Sequence, residues 1–189
     1  MPVFTGAGSI VTSSNIVDGT IVNADISANA NIAISKLNNA PFKILADVTL
    51  GTAGLTLDTG TFDAKNLLRV SIHIPGVAGA TGILMRFNND TGSNYNYQNG
   101  PNLVVSGPAV AQTSLSLSSS SSAADRTHFF DLFNRDGFEK GMVRYGKISS
   151  DMTHGVGIYT VTSGQITRIQ IITTANMNVG SRIIVMGND

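Results

Sequence analysis

Three histidines, eleven aspartates and a single glutamate, Glu139, are the side chains with which this 189-residue chain could hold a metal or move a proton. His73, His128 and His154 stand alone. None has a second histidine at i+2 or i+4, and no HExxH occurs, so a zinc site would have to be assembled by the fold. The simpler reading is unpaired surface or strand histidines. Asp131, Asp136 and Glu139 lie close together, as a glycosidase acid pair would require. They surround Arg135-Asp136-Gly137, a hairpin signal, and read as a solvated turn. "GMVRYGKI", Gly141 to Ile148, approaches a phosphate-binding loop, but Ile148 stands where a hydroxyl must reach the magnesium ion. Val143 and Tyr145 between its glycines prefer a strand. "NNDTGSN", Asn88 to Asn94, is oxygen-rich enough for calcium, yet its glycine falls at the wrong offset for an EF-hand loop. It reads as a turn built by Asn and Asp side chains, with Gly92 supplying a positive φ. No GxSxG elbow is present, and a Ser-His-Asp triad would have to be dispersed. The expectation is a protein that is not an enzyme, with no catalytic residues, no cofactor and no metal.

The composition agrees with that reading. Charged residues make up 13% and hydrophobic ones 42%, while Trp and Cys are absent. Thr, Val, Ile and Ser are plentiful and strong helix formers scarce, which favours an all-β protein. Net charge is zero, and Lys and Arg never cluster beyond two, so no nucleic-acid partner is expected. A near-zero charge gives little colloidal repulsion, which suits a protein that lives in an assembly. Without cysteine there is neither a disulfide framework nor a thiolate metal site. The opening "MPVFTGAGS" lacks the pattern of a signal peptide, and no 18-residue apolar run occurs, so no membrane insertion is expected.

Two textures divide the chain. Residues 41–189 carry short β-branched runs punctuated by Gly, Asn and Asp. In "NLLRVSIHI" Leu68, Val70, Ile72 and Ile74 alternate with Arg69, Ser71 and His73, a half-buried strand that Pro75 stops. Similar runs recur through "TGILMRF", "NLVV", "AQTSLSLS", "THFFDLFN", "FEKGMVRYGKI", "GVGIYTVT", "ITRIQIITT" and "SRIIVMG". Roughly ten strands at this spacing predict a jelly-roll-like antiparallel β-sandwich. Ser118 to Ser122 reads as a solvated loop after an edge strand.

Residues 1–40 differ. Ile16, Ile21 and Ile26 recur at five-residue steps, and after one extra residue Ile32 and Leu37 do so again. On a helix such steps scatter around the axis, and on a strand they flip faces. One structure that uses five-residue steps is a pentapeptide coil, but five steps give too few turns to stand alone. An extended arm wound around sister chains is the other. A plainer alternative makes these residues the first strands of the sandwich. Burial of five side chains does not offset the ordering of one arm by itself. The segment is therefore expected to be completed by neighbours, as an N-terminal assembly or anchoring arm.

"NIVDGTIVNADISANANIAISKL", Asn15 to Leu37, resembles a segment found in many tailed-bacteriophage fibre and virion proteins. "MRFNNDTGSNYNY", Met85 to Tyr97, is similar to a signature of phage virion sandwich domains, and "ITRIQIITTANMNVGSRIIVMG" to their closing strands, with Met186 where Tyr is usual. The resemblance implies a virion structural protein: a homotrimer with its β-sandwich outward and its arm toward the particle. Under it the chain is a capsid decoration (cement) protein docked by its arm on the major capsid protein or a tail or connector protein. The alternative is a short head or tail fibre whose outer sandwich binds host-surface glycan. In "GSNYNYQNG", read as a loop, Asn94, Tyr95, Asn96 and Tyr97 are the candidate glycan or inter-subunit contacts, since aromatic and amide side chains suit both.

Overall fold

The computed structural model describes residues 42–79, 82–101, 107–118, 125–148 and 151–189. Among them there are twelve strands and no helix: β1 (Lys43–Thr49), β2 (Gly54–Asp58), β3 (Leu67–Ile74), β4 (Ile83–Phe87), β5 (Tyr95–Pro101), β6 (Ala109–Gln112), β7 (Leu115–Ser118), β8 (Arg126–Phe133), β9 (Lys140–Ile148), β10 (Asp151–Tyr159), β11 (Ile169–Met177) and β12 (Arg182–Asn188). They form two antiparallel sheets. The long one runs β1-β12-β3-β8-β9-β10-β5-β6 and the short one β2-β11-β4-β7.

The pairing is nested. The first strand lies beside the last, β2 beside β11, β3 beside β8, and β4 beside β7. The chain thus folds back on itself like one long hairpin whose successive pairs alternate between the sheets. Two insertions, β5–β6 and β9–β10, extend the long sheet beyond β8. The connection through Ser163-Gly164-Gln165 crosses from β10 in the long sheet to β11 in the short one.

The inner faces of both sheets share one apolar core. Leu68, Val70, Ile72 and Ile74 of β3 are fully buried, as the alternation predicts. Leu57, Met85, Phe87, Ile169 and Ile171 meet them from the short sheet. The hairpin read from Asp136-Gly137 joins β8 to β9, with Gly137 at φ +79°. Asp131 lies within strand β8, in the run "THFFDLFN" read as a strand, and Arg69 stands opposite and binds it at 2.8 Å. One sequence reading changes here. The positive φ of the Asn-rich turn falls on Asn88 and Asn89 rather than Gly92. Asn tolerates that conformation better than most residues. β7, ending at Ser118, is an edge strand as expected.

Candidate functional site: the outer face of the long sheet

The outward positions of the long sheet fall into two groups. On β3 and β12, and on β1 at the edge, charges are paired. Arg182 binds Asp47 through Nε at 2.8 Å, and Arg69 binds Asp131 through Nε at 2.8 Å. His73 Nδ1 lies 3.3 Å from Asp125. On β8, β9 and β10 most of the exposed outward positions are apolar. Val143 of β9 and Val156 of β10 stand directly opposite each other and are 52% and 54% exposed. Phe129 faces Tyr145, with their rings stacked at 5.6 Å. Phe133, Met152 and Ile158 extend the patch, and Val110 adds to it from β6. The three strands β8, β9 and β10, about 4.8 Å apart and about nine residues long, cover a footprint of roughly 400 Å². Exposed apolar patches of this size mark interaction sites. Two hollows indent the patch. One, of about 430 Å³, is lined by Phe129, Tyr145, Lys147, Met152 and His154. The other, of about 230 Å³, lies by Asn96, Gln98, Pro108, Val110 and Ile158.

The stretch from Asn94 is where the sequence expectation changes most. Tyr95 opens strand β5; the segment read as a loop is a strand. Period-two alternation turns Tyr95 and Tyr97 inward and Asn96 and Gln98 outward. Tyr95 is fully buried in an aromatic cluster with Phe87 and Tyr159, at centroid distances of 5.9 and 5.0 Å. Its hydroxyl accepts from Phe87 N at 3.0 Å and donates to Asp90 O at 3.1 Å, and burial pushes its pKa up to about 12. Its ring therefore reaches no ligand on the surface. Tyr97 packs against the core in part. Of the four, Asn96 and Tyr97 both line the smaller hollow, and Asn96 Oδ1 accepts from Ala111 N at 2.7 Å.

The polar residues before Tyr95 do structural work. Asn88 Oδ1 accepts from Thr167 N at 2.9 Å and Arg168 N at 3.1 Å, while its Nδ2 donates to Gln165 O at 2.9 Å. Asp90 accepts from Gly92 N at 2.7 Å and from Asn94 Nδ2 at 2.8 Å. "NNDTGSN" is thus a clamp tying the β4–β5 turn to the approach to β11. Comparison of the chain with family models, with curated proteins and with solved structures finds no match. No group of three or more His, Cys, Asp or Glu side chains that could hold a metal occurs among the described residues. The arm residues Ile16, Ile21, Ile26, Ile32 and Leu37 lie outside the described residues.

Sequence reasoning missed the apolar patch because each strand alone looks ordinary. "FFDLF" carries apolar residues on both faces, which alternation cannot assign. The signal was there in Val143, Val156 and Ile158, which fall between buried neighbours in β9 and β10, and in Tyr145 beside the buried Arg144.

Proposed function

We propose that this protein is a structural subunit of a bacteriophage particle: a homotrimeric decoration protein that docks on the capsid by residues 1–40 and stabilises the shell. The observation that carries the assembly reading is the apolar outer face of β8, β9 and β10, with seven large apolar side chains exposed on those strands. A lone subunit leaves this face in water, whereas a second copy covers it. Its footprint is about half the roughly 800 Å² per partner of a standard interface, so it is one part of the contact, and zero net charge lets copies approach without repulsion. Two antiparallel sheets with nested strand pairing support the β-sandwich part of the reading, and the jelly-roll topology remains part of the proposal. The virion assignment rests on the resemblance of Asn15–Leu37 and Met85–Tyr97 to phage virion segments.

The second reading, a short head or tail fibre that binds host-surface glycan, is favoured by the hollow beside Asn96 and Gln98. Copy number and particle stability separate the two. Particles lacking the protein should be more sensitive to heat and osmotic shock, with host adsorption unchanged. Lost adsorption with normal particle stability would replace decoration by the fibre reading. A chain that stays monomeric at micromolar concentration, measured by sedimentation, would remove the trimer.

A further inference from the structure

The inner face of β8, β9 and β10 changes character along its length. Toward one end it carries Leu132, Met142 and Tyr159 and belongs to the apolar core. Toward the other it carries Arg126 and His128 from β8, Arg144 from β9 and Thr153 from β10, all buried. The register sets them side by side. His128 and Thr153 both stand opposite Gly146, one on each side, and Arg144 lies two residues along the middle strand on the same face. Gly146 has no side chain to fill the space between strands β8 and β10, which are about 10 Å apart. The His128 ring leans into it: a Cβ on Gly146 would lie 2.7 Å from His128 Nδ1 and would run into the Thr127 carbonyl. Arg144 also lines a separate void of about 10 Å³ with Leu117, Phe130 and Gly155, one that His128 and Thr153 do not line.

Four polar atoms here lack a partner among the described residues: His128 Nδ1 and Nε2, Arg144 Nε and Thr153 Oγ1. Arg144 spends its other nitrogens on main-chain carbonyls, those of Leu117 and, at 3.4 Å, His154. The fold knows how to settle a buried cation elsewhere. Lys140, 1% exposed, donates to Phe138 O, Val161 O and Thr162 O at 2.7, 2.8 and 3.1 Å. At Arg144 the charge is buried and one donor is unused. A buried charge without compensation is costly. A water would accept the bonds but leave the charge. An occupant that accepts bonds and carries negative charge answers both.

We propose that this interior end binds a small inorganic anion of chloride size, held by Arg144 Nε, Thr153 Oγ1 and a nitrogen of His128. Arg126, two positions before His128 on the same face, adds positive charge to the field. The ion is a structural ligand that completes the inner face.

Bromide is the probe. Crystals soaked in sodium bromide, with data collected at the bromine edge, should show an anomalous peak within hydrogen-bond distance of Arg144 Nε. In solution, bromide replaces gluconate at constant ionic strength. The melting temperature should then rise by about 3–5 °C per tenfold increase once the site is filling. Arg144→Met, which keeps the stem and removes the charge, should abolish that dependence. A wild-type chain with no anomalous peak at the site and no bromide response overturns the proposal. So does an equal bromide response in Arg144→Met. If that variant does not fold, the wild-type diffraction and melting measurements decide alone.

Discussion

The two ends of the long sheet are built inside out with respect to each other. On β1, β12 and β3 the inner positions are largely hydrocarbon and the outer ones carry paired charges, such as Arg69–Asp131 and Arg182–Asp47, with Ile44 at the β1 edge the one large apolar side chain left exposed. On β8, β9 and β10 the outer positions carry Phe129, Val143, Tyr145, Met152 and Val156, while Arg126, His128, Arg144 and Thr153 point inward. The first end is complete within one chain. The second leaves apolar side chains in water outside and polar atoms without partners among the described residues inside. The contrast sets the two inserted hairpin strands and their neighbour apart from the nested framework, and the proposed assembly surface rests on them.

The largest expected effect breaks the outer side. Val143→Asp with Val156→Asp places two carboxylates opposite each other in the centre of the patch. Assembly should be lost, with association weakened at least about 100-fold, because each buried unpaired charge costs several kcal/mol. Sedimentation should report a monomer whose far-UV spectrum is unchanged. A double variant that keeps the wild-type mass would show that this face is not the interface.

The next effect belongs to the completed end. Ile72 is fully buried on β3, so Ile72→Ala should cost about 2–5 kcal/mol through lost burial and the cavity left behind. Ile158→Ala, at a 40% exposed site, should leave the stability of the monomeric Asp variant nearly unchanged. Urea denaturation of both in that background checks the contrast.

The third concerns His128. Burial, with Arg144 and Arg126 beside it, lowers its pKa to about 3. Thr153 is the other polar side chain facing it across Gly146, and Asp151 stands across Ile148 from Arg126 in the register. The unfolded chain takes up the proton near pH 6.5, whereas the folded one does so only near 3. Stability from this residue is therefore full above pH 6.5 and falls with acidification. The slope approaches about 1.4 kcal/mol per pH unit until the folded value is reached. His128→Gln should flatten the dependence between pH 6 and 4, measured by urea midpoints in halide-free gluconate buffer, so that no bound anion offsets the two arginines. An unchanged slope would remove the buried neutral imidazole from the account.

Much of the framework was legible in the chain. Leu68, Val70, Ile72 and Ile74 announce a half-buried strand, and Asp136-Gly137 announces the turn after β8. The long-range pairings that build the sheets were not, because alternation tells a face but not a neighbour. "GLTLD" was passed over as β2, a short edge strand with little burial of its own. Tyr95 misled for a physical reason. Tyr is amphipathic, and an Asn-rich setting suits a binding loop and a hydrogen-bonded turn equally. Only the fold decides that its hydroxyl meets Phe87 N and Asp90 O rather than a ligand. The inward Arg144 and His128 were hidden as well, since a charged residue in a strand is ordinarily read as solvent-facing.

The smallest effect sharpens the comparison from the completed end. Arg69 is half-exposed and binds Asp131 with two nitrogens, at 2.8 and 3.3 Å. Water screens that pair, so its loss leaves two groups that solvent can satisfy. Arg69→Ala should therefore leave the mass in solution unchanged and shift the urea midpoint only slightly. Asp131 stands directly opposite Val143, at the border between the two ends. If the apolar patch stops there, freeing Asp131 alters nothing in assembly. If Arg69→Ala dissociates the oligomer, the interface reaches past β8 onto β3, and the ion pair is part of the contact rather than its boundary.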